Sequence, residues 1–185
     1  MMLYNRKGEK TAVMEYNDIY DADRNLTGRT HLRGTSWKRG EYGLVVCVWV
    51  HDGHGKLLLT QRAPEKSFPG TWENSGGAAK AGETSRQAIA RELFEETGIR
   101  VEEDAFELLE SGRDHNTHFD YYCICNDTPL EQIVLLPGET VDARWVTFQQ
   151  VREMIAEKKI CGIIARQFRR QEHMLLSRQG IHKEK

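Results

Sequence analysis

The sequence predicts an α+β layered domain, with helices segregated among hairpins, and three observations carry that expectation. Runs of β-branched and aromatic residues come in adjacent pairs separated by turn residues, at 13–32, 44–62 and 105–125. Two capping boxes, Thr84 with Gln87 and Thr147 with Gln150, each open a helix. The 185 residues are 39% apolar and 29% charged, which suits one globular domain over 1–185 with a sizeable core.

Taken in order, residues 1–10 are polar and expected to fray. Val13 to Tyr20 reads as a strand, Asp21 to Asn25 as a turn and Leu26 onward as the return strand, so a hairpin and loop occupy 11–40. The basic, glycine-bearing stretch 32–42 is expected to lie as a loop over the site. Leu44 to Val50 is a nearly continuous apolar run, and with Lys56 to Arg62 it makes a second hairpin around Asp52-Gly53-His54-Gly55. Ala63 to Ser75, punctuated by Phe68-Pro69-Gly70, is a connection placed beside the chemistry. A helix spans about 85–97, where Gly98 supplies a left-handed cap. Ala105 to Ser111 and Thr117 to Cys125 read as strands around a turn at 112–116. A strand at about 142–147 precedes helices at about 148–159 and 162–178. The last of these carries Ile164, Phe168, Gln171 and Leu175 along one edge, with Ile163 and Leu176 near it.

The helix at 85–97 is the chemical centre of the chain. At 100° per residue Glu92, Glu95 and Glu96 share one arc, while Ile89, Ala90, Leu93 and Phe94 take the opposite side. Three carboxylates at that spacing repel one another, so a cation is expected among them. Ala88 and Ser85, earlier on the same arc, are small and leave it room. Oxygen donors without His or Cys suit Mg²⁺ or Mn²⁺ rather than zinc. Arg91 is placed to pair with Glu95.

The whole stretch resembles the Nudix box: Gly, five residues, Glu, seven residues, Arg-Glu, an aliphatic residue, any residue, Glu-Glu, any residue, Gly, an aliphatic residue. Gly77, Glu83, Arg91, Glu92, Leu93, Glu95, Glu96, Gly98 and Ile99 fill every fixed position. Chance agreement at the seven single-residue positions is on the order of 10⁻⁸ per start. The resemblance implies the Nudix fold, an α/β/α sandwich with a mixed sheet, and Mg²⁺-dependent hydrolysis of a nucleoside diphosphate derivative or another organic diphosphate. It also implies that Glu92, Glu95 and Glu96 hold the metal, that the Gly77 carbonyl adds a ligand, that Arg91 orients a glutamate and that Glu83 closes the loop onto the helix. Glu92, Asp120 and Glu139 are the candidate general bases.

Tyr16 to Gly28, Gly40 to Arg62 and Phe68-Pro69-Gly70 also resemble the Nudix-fold isopentenyl-diphosphate isomerases and hydrolases like them. The isomerases' Cys falls near Gly77 here, and their strand His near Gly43. Hydrolase is therefore the expected activity, with isomerase and a non-catalytic nucleotide-binding module as the alternatives. Nucleotide sugars, dinucleoside polyphosphates, oxidised nucleoside triphosphates and prenyl diphosphates all stay open as substrates.

A net charge of −2 and a pI near 6.4 give no electrostatic case for a nucleic-acid polymer or an anionic membrane. The expected partner is a small-molecule diphosphate, a homodimer is allowed, and the expected location is the cytoplasm, since neither a signal-peptide segment nor a membrane span is seen. Cys47, Cys123, Cys125 and Cys161 read as reduced, buried thiols. His51, His54, His115 and His118 read as solvated loop histidines. Trp49, Trp72, Phe119, Tyr121 and Tyr122 read as packing residues that are also able to stack on a ring.

Overall fold

The structure, a computed structural model, describes residues 2–4, 10–12 and 14–179. Its strands are β1 (Met2–Tyr4), β2 (Lys10–Ala12), β3 (Tyr16–Tyr20), β4 (Leu26–Leu32), β5 (Gly43–His51), β6 (Lys56–Arg62), β7 (Trp72–Glu73), β8 (Ser75–Ala78), β9 (Glu107–Asp114), β10 (Thr117–Cys125) and β11 (Thr140–Thr147). The helices are α1 (Ser85–Thr97), α2 (Phe148–Ala156) and α3 (Gly162–Gln179). The N-terminus, where fraying is expected, pairs Met2–Tyr4 antiparallel with Lys10–Ala12. Val13, the expected start of the next strand, lies outside the described residues.

The main sheet runs β11-β6-β5-β10-β9, with β7 added to β6 and β8 to β5. Only β5 and β10 pair in parallel among these strands, so the sheet is mixed. Alternation along β5 and β6 separates two cores. Val46, Val48, Val50 and Leu58 meet Ala88, Ile89 and Leu93 of α1, whereas Trp49, Leu57 and Leu59 meet Phe148 and Val151 of α2 and Phe168 and Leu175 of α3. One helix on one face and two on the other make the α/β/α sandwich. No helix among the described residues is long and apolar enough to cross a membrane.

Both capping boxes form: Thr84 and Gln87 exchange side-chain and backbone bonds at the start of α1, as do Thr147 and Gln150 at α2. Gly98 takes φ 74° and its N–H donates to the Phe94 carbonyl, as its cap position demands. The apolar side of α1 differs from the helical-wheel expectation. Ala88 is fully buried among Ile89 and Leu93 rather than opening space over the acids, and Phe94 is exposed, with the Arg100 guanidinium 3.7 Å above its ring. On α3, Ile163 and Leu176 are exposed, while Gln171 is fully buried because its amide is satisfied at both ends, by Trp49 Nε1 at 2.9 Å and Glu110 at 2.8 Å.

The turn between β9 and β10 is shorter than the composition suggests. Gly112 lies inside β9, where a Cβ would meet the Phe119 ring at 2.7 Å, and the reversal falls on His115 (φ 51°) and Asn116. This glycine serves close cross-strand packing rather than a turn. His51 and His118 are also buried rather than solvated: both sit in strands, and His118 Nε2 lies 2.8 Å from the Asp21 carbonyl oxygen. His54 and His115 are exposed.

The β3–β4 hairpin is sewn to the sheet and to the loop before α1. Tyr20 and Tyr42 exchange backbone hydrogen bonds at 2.9 and 3.0 Å, Ala81 N–H donates to Tyr16 O, Asn17 Nδ2 to Ala79 O and Gly82 N–H to Asp18. Asp120 fastens the other end. One carboxylate oxygen accepts from Arg24 Nη1 and Ser111 Oγ, each at 2.7 Å, and the other from Arg24 Nη2 and from Ser85 Oγ at 2.5 Å. Burial would raise its pKa, but the bonds from Arg24, Ser85 and Ser111 outweigh burial and hold the carboxyl below its usual range. Because its folded pKa is depressed, this contribution is present above the unfolded value near 4 and is lost as pH falls through the folded one. Asp120→Asn is therefore expected to cost roughly 1–2 kcal/mol at neutral pH, by leaving Arg24 without its counter-charge, since Arg24 is one-third exposed and solvent screens part of the loss. Urea titrations of both proteins should show that gap closing at acid pH, and a pH-independent gap would contradict the ion-pair account.

Candidate active site

The site is built where α1 crosses β8. Gly77 backs directly on Glu92: a Cβ at Gly77 would overlap the Glu92 carboxylate, so a larger residue there would have to push that acid aside. Arg91 organises the acids. Its Nε and Nη2 grip Glu83 at 2.6 and 2.9 Å, its Nη1 reaches Glu92 at 2.8 Å and Glu95 at 3.1 Å, and Nη2 also donates to the Ala78 carbonyl at 3.2 Å. Glu83 in turn accepts from Lys80 N–H at 2.8 Å, so loop and helix close on one guanidinium. Burial works against charge on Glu83, yet the bonds from Arg91 and Lys80 hold its carboxyl below the usual range.

The other acids behave differently. Burial pushes the Glu92 carboxyl up, with Arg91 opposing. Burial raises Glu96 well above the ordinary range, the charges of Glu92 and Glu73 add to it, and Ser75 and Gly76 counter it only in part. Glu96 is 8% exposed and its Oε2 has no hydrogen-bond partner among the described residues. Glu95 is more open, and Lys80 Nζ approaches it at 3.5 Å.

Glu92, Glu95 and Glu96 thus share the arc that the helical spacing predicts, but no three acidic, His or Cys side chains converge for a metal among the described residues. Glu92 and Glu95 turn to Arg91, while Glu96 faces Ser75. The fit to a hard divalent cation rests on other grounds: oxygen donors only, a buried carboxylate oxygen without a partner among the described residues, and the Gly77 backbone lying against the Glu92 carboxylate. Of the acids outside the helix, Asp120 is spent in the brace described above, and Glu139 is paired with Lys66.

Glu73 is a residue that spacing alone did not single out. It sits on β7, its carboxylate accepts from Arg62 Nη1 at 2.7 and 2.6 Å, and burial raises its pKa while Arg62 resists. Its only signal in the sequence is its place in the Trp72-Glu73-Asn74-Ser75 connection. The aromatic candidates are packing residues: Trp49, Trp72, Phe119, Tyr121 and Tyr122 are all buried. The cysteines are free. Cys123 and Cys161 are buried as expected, but Cys125 is exposed and Cys47 only half-buried. The positions where an isomerase would carry its Cys and His are glycines here, and a Cβ at Gly77 would displace the Glu92 carboxylate while one at Gly43 would meet the Trp37 ring at 2.9 Å.

Known proteins agree with this architecture. The family model of the NUDIX domain matches residues 41–176. An uncharacterized Nudix hydrolase of Listeria monocytogenes, lmo0368, is 35% identical over 143 residues, covering 76% of this chain and 85% of that protein. Nudix hydrolase 3 of Arabidopsis thaliana is 31% identical over 159 residues, 78% of this chain but 21% of that longer protein. Among solved structures, DR0079 of Deinococcus radiodurans superposes with a TM-score of 0.70 at 24% identity, over 84% of this chain and 98% of that one. The NUDIX domain of Shewanella oneidensis NrtR, solved with ADP ribose, gives 0.58 at 21% identity, over 75% and 90%. The glutamates gathered around Arg91 are therefore those of a Nudix box in its own fold, and the chain belongs to the Nudix hydrolase family.

Proposed function

We propose that the protein is a divalent-metal-dependent diphosphatase that cleaves a diphosphate linkage in a nucleoside diphosphate derivative or a similar organic diphosphate. The observation that carries this reading is the pairing of a buried Glu96 oxygen, without a hydrogen-bond partner among the described residues, with the acidic arc beside the Gly77 backbone. Attack on a diphosphate gathers negative charge, which carboxylates alone would repel. Glu95, Glu96 and the Gly77 carbonyl, with Glu92 beside them, would hold Mg²⁺ or Mn²⁺, which supplies charge neutralisation and activation of water.

The chain's own groups do the rest. Arg91 holds the helix against the 78–83 loop and keeps Glu92 in place at 2.8 Å. The proton of the attacking water is assigned to Glu92, the acid of the arc that lies against the Gly77 backbone and whose carboxyl burial pushes up with Arg91 opposing, whereas Asp120 is held low by its bonds to Arg24, Ser85 and Ser111 and Glu139 lies outside the arc, paired with Lys66. Lys80, placed between Glu95 and Glu15, offers positive charge to an incoming phosphate at the rim. The family relative solved with ADP ribose supports a nucleotide-derived substrate.

Chelation should abolish phosphate release from a diphosphate panel, and Mg²⁺ should raise the thermal midpoint of the wild type but not of Glu96→Gln. At a hundredfold excess over Kd the stabilisation is about 2.7 kcal/mol. Full turnover in excess chelator would remove the metal from the reading.

Glu95→Gln and Glu96→Gln should each lower kcat at least ~10²-fold with the fold intact, a loss of about 2.7 kcal/mol in transition-state stabilisation. Glu92→Gln should lose as much rate while keeping the Mg²⁺-induced thermal shift. If that shift disappears too, Glu92 is a ligand and the base lies elsewhere.

A further inference from the structure

One ammonium stands against the acidic arc, and the chain around it fixes where it leaves the backbone. The loop of residues 79–82 is bonded on both sides: Ala79 N–H donates to Leu44 O at 2.9 Å, Asn17 Nδ2 to Ala79 O at 2.6 Å, Ala81 N–H to Tyr16 O at 2.8 Å and Gly82 N–H to Asp18 at 2.7 Å. Lys80 therefore springs from a pinned main chain. Because the bond to Tyr16 seats this loop on β3, the residue before that strand, Glu15, comes beside Lys80. The Lys80 ammonium lies between two carboxylates, 3.5 Å from Glu95 Oε1 and 3.8 Å from Glu15 Oε1.

Glu95 faces a positive charge on each oxygen. Oε2 accepts from Arg91 Nη1 at 3.1 Å and Oε1 faces Lys80, so a divalent ion held by Glu95 has to take the place of one of them. The two are tied very differently. Arg91 is committed to Glu83 through two bonds, to Glu92 and to the Ala78 carbonyl, with only 17% of its side chain exposed. Both Lys80 contacts are longer than the roughly 2.7–2.9 Å of a good charge-assisted hydrogen bond, and its side chain is 34% exposed, so each pair is weak and screened. Lys80 is the charge that yields. Glu15 is placed to receive it, since one of its oxygens holds Arg33 and the other already turns to Lys80.

We propose that Lys80 is a tethered counter-ion of the acidic arc, which the divalent cation displaces from Glu95 toward Glu15, and that this hand-over sets how tightly the metal is held. The inference deepens the diphosphatase reading and rests on it. Lys80 opposes metal entry because its charge repels the incoming ion across a partly buried site, where solvent and salt screen less than in open water. Its charge reaches Glu83 and Glu92 as well, behind burial and Arg91 in its effect on each carboxyl. Glu15 works in the opposite sense: by drawing the ammonium away, it frees a Glu95 oxygen as a donor. Both residues act through Glu95, so they are positioning residues.

The test reads the Kd for Mn²⁺ by calorimetry without substrate, on proteins whose fold is checked by circular dichroism and thermal melting. Lys80→Gln and Lys80→Met should each bind Mn²⁺ at least about fivefold more tightly than the wild type, the effect of removing one like charge from a partly screened site. Lys80→Arg keeps the charge and should stay near the wild-type Kd. Glu15→Gln should weaken Mn²⁺ binding, yet the same substitution made on Lys80→Gln should change nothing further, because no ammonium is left to receive. The inference is overturned if the neutral variants bind no more tightly than the wild type, if Lys80→Arg gains as much as they do, or if Glu15→Gln costs the same in both backgrounds. Glu96→Gln is the control for the metal site. A wild type that takes up no Mn²⁺ sinks the diphosphatase reading together with the inference, whereas Mn²⁺ uptake that needs Glu96 but ignores Lys80 sinks the inference alone.

Discussion

The structure depends most on one guanidinium. Arg91 touches Glu83, Glu92, Glu95 and the Ala78 carbonyl, so a single cation ties the loop of residues 78–83 to the acidic helix. Without it, three neighbouring carboxylates would face one another in a partly buried place, where like charges repel far more strongly than in water. Burial disfavours a charged Arg91, but bonds to Glu83 and Glu92 overcome this and raise its pKa, so it stays protonated throughout. Glu96 lies beyond its reach. That leaves Glu96 as the carboxylate of the arc with a buried oxygen unmatched among the described residues, the one whose burial most calls for a cation.

Around this centre the chain uses two kinds of fastening. Backbone hydrogen bonds seat the β3–β4 hairpin against β5 and the loop of residues 79–82, and Asp120 clamps that hairpin, α1 and the sheet through charge-assisted bonds. The same loop that carries the hairpin carries Lys80 and Glu83. The hairpin and two residues of the acidic site are therefore fastened to one loop, and Trp37, on the segment after the hairpin, walls a cavity that Ala78 also lines.

Local pattern and tertiary context divide cleanly in particular residues. Both capping boxes and Gly98 were legible because the bonds that define them span three or four residues, and α1 and β6 match their expected limits. The turn at 112–116 was misjudged because glycine signals both turns and close packing, and only the Phe119 ring across the strand pair reveals which one applies. His118 was unreadable as a buried group because its partner, Asp21, lies 97 residues away; Gln171 was legible on the packing edge of its helix, but its partner Glu110, 61 residues away, was not. The exposed Phe94 shows the limit of a helical wheel, which marks a face without saying how wide its neighbour is.

By itself the sequence determined the order of most elements, the caps, the acidic arc and the family, since each is written in spacings that a helix or strand converts directly into geometry. Tertiary structure alone decided which acids are satisfied and which is not. It brought Glu73 beside Glu96 through strand pairing, spent Asp120 on Arg24, and set Trp37 over Gly43. The physical reason is that solvation and electrostatic pairing depend on what lies within a few ångströms in space, and those neighbours come from strands and loops far apart along the chain.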